Sequence, residues 1–423
     1  MESFISSHIA KIVLALEVVL GGLILKFVPY TEIDWVAYMQ QVETFLSGDL
    51  NYYNYKGDTG PCVYGGGYLY VFSLLYKLTD NGKNIFKAQV IFYVLYLFET
   101  WVVMQIYLLA IKRDKKDRRL TMHECFYFLL LAASRRLHSI FMLRCFNDCF
   151  AVAFTYLSIW CLMKNKVFPC LVLFSIGISI KMSALLYLPA LLMNLNFHFG
   201  IVKTLGCLVL LVIMQLVIGL EWILAYPQAY FGKAFEFDRV FFFIWSVNWQ
   251  FLGEETATGK DFAKLLILVH LSLLLVFLFF KWTSIARGLG NWINQLRLND
   301  LFIPKSRSLH PRYVALSMFT CNLIGILCAR SLHYQFYSWY YQTLPLILLY
   351  IRGIPFAFKI MIIGVIEVCW NLFPPRDHVY ASVALFACHV ILVLSSLVLS
   401  KYPNSPYLET AKQPTPSKLK KVQ

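Results

Sequence analysis

From Ala88 to Ile111 the chain is apolar apart from Gln89, Glu99, Thr100 and Gln105. A helix rises about 1.5 Å per residue and the hydrocarbon core of a bilayer is about 30 Å thick, so about 20 apolar residues cross it. No water satisfies the backbone inside lipid, so such a run must close its own hydrogen bonds as a helix. Ile9 to Val28 reads the same way despite Lys11 and Glu17, and no small-residue cleavage site follows it, so a retained span is expected there. Repeated along the chain, this requirement fixes the class. Apolar residues make up 59% of the sequence and charged residues 14%, with a mean hydropathy of +0.63. Soluble chains sit near half and a quarter.

Further apolar segments lie at 123–137, 150–163, 167–180, 184–195, 202–224, 262–280, 313–329, 340–350, 356–373 and 379–399. Together they predict an all-α polytopic membrane protein of about twelve transmembrane helices, a single domain over 1–400. Residues 68–78 are apolar but short, which predicts an interfacial or re-entrant helix. Lys112 to Arg119 carry six bases and two acids, and residues 281–312 six bases and one acid. Positive-inside bias puts both segments and both termini in the cytosol, and loop 29–67 on the far side. The overall excess of 38 bases over 23 acids suits cytosolic loops and anionic lipid heads. No nucleic-acid-reading motif is present. The eleven cysteines are scattered, Cys145 and Cys149 included, and read as packing residues. No Asn-x-Ser/Thr acceptor occurs.

Loop 29–67 gathers Glu32, Asp34, Glu43, Asp49 and Asp58 against the single base Lys56. Val36, Met39, Val42, Phe45 and Leu46 recur at helical spacing, which predicts a helix from near Trp35. Asp34 stands at its start and has two readings. It is a general base held at the membrane face, or it is a helix cap, worth about 1 kcal/mol. Asp58, in the turn Gly57-Asp58-Thr59-Gly60-Pro61, is a second acid, an acceptor contact or a turn residue.

Ionisable residues inside spans are costly and functional by default. Arg144, Lys181, Arg330, His138 and His333 all fall at the far-side ends of their segments, opposite to the placement that positive-inside bias favours. Such a cluster suits phosphate, since Arg offers a fixed fork of donors. The plainer alternative pairs these bases with Asp148 or Asp238. Aromatic residues crowd nearby, at 241–249 and 333–341, either as an interface belt or as sugar platforms. Residues 401–423 hold four prolines and read as a disordered cytosolic tail ending Lys420-Lys421-Val422-Gln423. That dilysine resembles a coat-protein retrieval signal of the endoplasmic reticulum, and retrieval signals are read by receptors.

The runs Ile33-Asp34-Trp35 with Tyr38-Met39-Gln40, Gly57 to Pro61 with Val63-Tyr64, and Ala88-Gln89 resemble one enzyme family. So do Arg135 to Ile140, Phe146-Asn147-Asp148, Lys181-Met182, Trp245 to Trp249, and Ala329 to Tyr340. The family is the dolichyl-phosphate-mannose-dependent α-1,3-mannosyltransferase of asparagine-linked glycosylation. The resemblance implies a GT-C bundle with a catalytic acid in its first lumenal loop. It implies dolichyl-phosphate mannose as donor and the five-mannose dolichyl-diphosphate oligosaccharide as acceptor, on the lumenal side of the endoplasmic reticulum membrane. Inverting transfer needs a base for the acceptor hydroxyl and a cationic site for the leaving phosphate, and needs no metal or other cofactor if bases supply that charge.

On this reading Asp34 is the base, and Arg330 and His333, three residues apart on one helical face, bind the donor phosphate. Arg144 and Lys181 assist, and Trp35, Tyr64, Trp249, Tyr337 and Trp339 contact sugar or lipid. The chain departs from the family pattern at Gly65-Gly66, where Pro-Ala is expected, and at Cys62, where an apolar residue is expected; both changes are expected to loosen the loop. The rival readings are a sister mannosyltransferase of different linkage and a polytopic transporter or scramblase.

Overall fold

The computed structural model describes residues 2–111, 120–236, 242–283 and 307–408, and nearly all of its regular structure is helical. The chain opens with α1 (Glu2–Phe27), α2 (Trp35–Leu46), α3 (Gly66–Leu78) and α4 (Ile85–Ile111). A small antiparallel hairpin, β1 (Lys56–Gly57) and β2 (Gly60–Pro61), joins α2 to α3. Then come α5 (Met122–Leu129), α6 (Arg135–His138), α7 (Asp148–Met163), α8 (Val167–Ile180), α9 (Leu188–Phe199) and α10 (Ile201–Ile218). The short α11 (Leu220–Ala225), α12 (Pro227–Ala234) and α13 (Glu254–Thr258) lead to α14 (Lys260–Phe277). The last four are α15 (Pro311–Leu327), α16 (Leu344–Tyr350), α17 (Phe356–Asn371) and α18 (Val379–Val398).

Among the described residues six helical stretches are long and apolar enough to cross a bilayer, or seven if the bent pair Met122–Ala132 and Arg135–Leu143 forms one span. The expected count of about twelve is therefore not reached by this measure. Segment 340–350 shows why: Tyr341–Thr343 forms a 3-10 turn and only Leu344–Tyr350 is α-helical. α7, α8 and α15 are apolar but shorter than a full crossing. α15 is nonetheless buried on all sides from Tyr313 to Ile326. α10 and the stretch Lys260–Trp282 bury only 11% of their apolar windows, so they form the lipid-facing perimeter.

Two contacts tie the first helices of the bundle to later ones. Tyr96 donates to Glu17 Oε1 at 2.8 Å, and His138 Nε2 lies 2.7 Å from Glu17 Oε2. His138 Nδ1 lies 2.6 Å from the Ser134 carbonyl. A carbonyl only accepts, so Nδ1 carries the hydrogen of that bond and Nε2 faces Glu17. This buried pair ties α1 to α6. The second contact overturns an expectation, because Gly65 and Gly66 sit in close packing and do not loosen the loop: a Cβ at Gly66 would lie 2.5 Å from the Trp222 ring and 2.9 Å from the Ile218 carbonyl oxygen. A Cβ at Gly65 would lie 2.6 Å from the Ser179 carbonyl oxygen, and one at Gly67 would lie 2.0 Å from Ser179 Oγ. The glycines let the start of α3 press onto the end of α8. Cys62 is fully buried.

The tail also begins later than 401. Tyr402 is buried beside Trp282 and Thr320, Leu309 bridges Tyr407, and the Leu408 amide donates to Ser308 at 2.9 Å. Lys420 and Lys421, the basic run Lys112 to Arg119 and Asp238 lie outside the described residues.

Candidate active site

The first loop is stapled down along its length. The Thr31 amide donates to the Leu143 carbonyl at 2.9 Å, Trp35 Nε1 donates to Gly82 at 2.9 Å, and Tyr68 donates to Gln41 at 2.8 Å. Leu143 closes a π-helical turn, Ser139–Leu143, a geometry frequent at functional sites. Asp34 occupies the N-cap position of α2, yet its side chain makes no capping hydrogen bond. Glu32 does that work instead, with Oε1 accepting from the Val36 amide at 3.1 Å. The Asp34 carboxylate is thus released from the helix end, and its Oδ2 lies 3.4 Å from the Tyr38 hydroxyl.

Asp34 faces a cavity of about 530 Å³, large enough for a sugar. Tyr38, Gln41, Thr59 and Tyr64 line it from the first loop. Lys181, Met182 and Ser183 line it from the end of α8, and Glu236, Phe242 and Trp245 from the second long interval between apolar segments, residues 225–260. His333, Tyr334, Gln335, Phe336, Trp339 and Phe373 complete the wall. Burial pushes the Asp34 carboxyl above the ordinary aspartate range, against the opposing pull of Thr59 and Lys181; Asp148 adds to the rise. A half-buried carboxylate of raised basicity is what a general base requires.

Lys181 brings positive charge to the same cavity. Its ammonium donates to Asp148 Oδ2 at 2.6 Å and to Asn147 Oδ1 at 3.3 Å. It sits 5.5 Å from the Tyr64 ring centroid, 5.4 Å from Phe336 and 5.8 Å from Trp339, within cation–π range of each. Phe336 and Trp339 stack at 4.0 Å, and Trp339 Nε1 donates to Asp148 Oδ1 at 2.5 Å. A lysine–aspartate ion pair and a stacked aromatic platform therefore stand in one wall.

The other predicted residues separate. His333 and Tyr64 line the cavity. Arg144 lies behind Tyr334, its guanidinium 5.3 Å from that ring, with Arg136 at 5.2 Å. Arg330 is not among the lining residues; it donates to the Thr258 carbonyl at 2.6 Å. The helical face expected to carry Arg330 and His333 does not exist, because α15 stops at Leu327 and His333 is extended. His138 is held by Glu17 within the bundle.

Asp58 is exposed and exchanges two hydrogen bonds with Gln40, at 2.9 and 2.8 Å. That geometry fixes a turn, and Asp58 does not line the cavity. Trp35 and Tyr337 are core residues at 1% and 0% exposure, the latter stacked on Trp370. Trp249 packs among Phe251, Phe262 and Phe386 and donates to Ala329. None of these three reaches the cavity. Tyr334, Phe336 and Glu236 line it without having been singled out from the sequence. Only position could have revealed them: Tyr334 and Phe336 lie inside the aromatic run 333–341, and Glu236 inside the second interval.

The family model described as ALG3 protein matches residues 11–380. The chain belongs to this family. A relative from Dictyostelium discoideum, named a probable Dol-P-Man:Man(5)GlcNAc(2)-PP-Dol alpha-1,3-mannosyltransferase, is 39% identical over 407 residues, covering 91% of this chain and 90% of its own. The relative from Homo sapiens, with the same name less "probable", is 37% identical over 369 residues, covering 87% and 81%. Among solved structures, ArnT from Cupriavidus metallidurans in the apo state aligns with a TM-score of 0.46 and 13% identity, covering 91% of this chain and 77% of its own. Within this ALG3-family chain, the motif runs around Asp34, Thr59, Lys181, Trp245 and His333 converge on the one cavity.

Proposed function

We propose that the protein transfers mannose from dolichyl-phosphate mannose to the five-mannose dolichyl-diphosphate oligosaccharide, forming an α-1,3 linkage with inversion. The observation that carries this reading is Asp34. It is the loop carboxylate whose helix-capping duty has passed to a neighbour, and it shares a sugar-sized cavity with Lys181. Family membership and the names of the relatives supply the substrate class.

In this mechanism Asp34 accepts the proton of the acceptor hydroxyl as that oxygen attacks the anomeric carbon. The bond to the phosphate oxygen breaks on the opposite face, and charge develops on the departing dolichyl phosphate. Lys181 and His333 hold that phosphate and supply the stabilising charge, so no metal is required. Arg144, behind Tyr334, adds longer-range positive potential. Phe336 and Trp339 offer the mannose a stacking face. Arg330 holds the Thr258 loop and is assigned no contact with the donor.

The bundle is of GT-C type on this reading and lies in the endoplasmic reticulum membrane. Loop 29–67 is lumenal, the C-terminus is cytosolic, and the terminal dilysine is read by coat-protein retrieval machinery. The deciding experiment is transfer by the purified protein in liposomes, from dolichyl-phosphate mannose to the five-mannose lipid. An α-1,3-linked product supports the assignment. A product of another linkage selects the sister-enzyme reading, and lipid movement without transfer selects the scramblase reading.

A further inference from the structure

The carboxylate that organises the cavity wall does not itself line the cavity. Asp148 is 0% exposed and stands in the first turn of α7, where a helix terminus favours negative charge. Each of its oxygens has one partner: Lys181 Nζ at 2.6 Å and Trp339 Nε1 at 2.5 Å. Both partners line the cavity. Its neighbour Asn147 is also fully buried, and Asn147 Oδ1 lies 3.3 Å from Lys181 Nζ and 3.4 Å from the Tyr38 hydroxyl. That hydroxyl is in turn 3.4 Å from Asp34 Oδ2. One dipeptide at the rigid start of a helix thus touches the arms of both the carboxylate and the cation.

We infer that Asp148 is a positioning residue, which sets where the leaving phosphate is held by fixing the Lys181 ammonium and the Trp339 indole in register with Asp34. The inference deepens the proposed reaction and rests on the phosphate role of Lys181. A lysine stem has four flexible carbons, and without an anchor its charge samples the cavity. A buried ion pair is a weak stabiliser, since apolar residues of similar volume hold two helices at least as well. Simple α7–α8 cohesion therefore gives no reason for this pair, whereas placing a charge to match a transition state does.

The test uses Lys181→Met, Asp148→Asn and the double variant in liposomes with both lipid substrates. Lys181→Met is expected to lower kcat by about 10- to 10³-fold, the range for losing one preorganised charge. Asp148→Asn is expected to lower kcat by about 10- to 100-fold and leave the acceptor KM within about twofold, because only an interaction realised in the transition state is lost. The double variant should turn over like Lys181→Met alone, since the amide oxygen introduced by Asp148→Asn still accepts from Trp339 Nε1 and only the tie to the ammonium is lost.

Normal kcat in Asp148→Asn overturns the inference. So does a raised acceptor KM with kcat intact, or a double variant well below Lys181→Met. If Asp148→Asn does not accumulate, the double variant removes both charges together, and its comparison with Lys181→Met decides alone. Normal turnover in Lys181→Met instead refutes the phosphate role of Lys181, and this inference falls with it. An impaired Lys181→Met beside a normal Asp148→Asn refutes the positioning role only.

Discussion

Replacing Asp34 by Asn separates a base from a cap. Asn caps a helix as well as Asp does but takes up no proton near neutrality. Losing a general base costs about 10²–10⁴-fold, which at about 1.36 kcal/mol per decade is about 2.7–5.4 kcal/mol of barrier. The stability effect is expected to be small, for two structural reasons. The Asp34 side chain makes no capping bond, and the Val36 amide is already satisfied by Glu32 at 3.1 Å.

The sign of the linkage points the same way. Burial raises the folded-state pKa of Asp34. A carboxyl raised in this way contributes stability below its unfolded value, and that contribution is lost as pH rises through the folded value. At neutral pH the ionised group therefore costs stability, and Asp34→Asn removes the cost. The assay is mannose transfer, donor binding and thermal unfolding on the same preparation. Transfer should fall by the stated factor, donor binding should hold, and the unfolding midpoint should stay or rise slightly. Near-normal turnover refutes the argument. Turnover intact in Asp34→Asn, with a loss of about 1 kcal/mol in stability in Asp34→Ala, restores the cap reading. Asp58→Asn is the control: it should retain turnover, and if it alone loses transfer the base is Asp58.

Four further outcomes are expected. The acid limb of the transfer rate should lie above the ordinary aspartate range near about 3.9, because activity needs Asp34 ionised and burial raises its pKa; a limb at or below that value counts against Asp34, and the limb should vanish in Asp34→Asn. Arg330→Ala should lower the unfolding midpoint through its lost bond to Thr258, by about 1.5–3 kcal/mol for a charged hydrogen bond, and leave the donor KM unchanged. Glu17→Ala should destabilise by about 3–5 kcal/mol, since it strands His138 in the bundle; a midpoint close to the parent's would show that the pair is not load-sharing. Changing Lys420 and Lys421 to Ser should let protein leave the endoplasmic reticulum by fluorescence microscopy while transfer per molecule is kept.

The class and the element order were legible because a bilayer imposes one rule on every segment. α8, α14 and α18 fall within a few residues of the predicted segments 167–180, 262–280 and 379–399. The start of α2 was legible from its apolar spacing and the acid before it. The span count was not, because an apolar segment buried among other helices need not be long enough to cross on its own. α15 is short for a crossing and yet wholly enclosed by other helices. Nor was the role of the glycines before α3, whose reason is a carbonyl on a helix more than a hundred positions later.

The basic cluster shows where sequence reasoning stops. A base against the positive-inside trend signals that something holds it, but not what. For Lys181 the holder is Asp148, and its ammonium reaches the cavity. For Arg144 it is the Ser139 hydroxyl and the face of Tyr334, a face that Arg136 shares; for Arg330 it is a backbone carbonyl; for His138 it is Glu17. Five bases that look alike in one dimension thus divide by partner in three. The plainer alternative, pairing with Asp148, proves true of Lys181, and it does not displace the functional reading. A charge meant to meet a phosphate must be fixed before the substrate arrives, and a buried carboxylate fixes it at the cost of desolvating both groups, a cost that cohesion alone does not justify. On the proposed mechanism, pairing and function are therefore one arrangement, seen from the two ends of the Lys181 side chain.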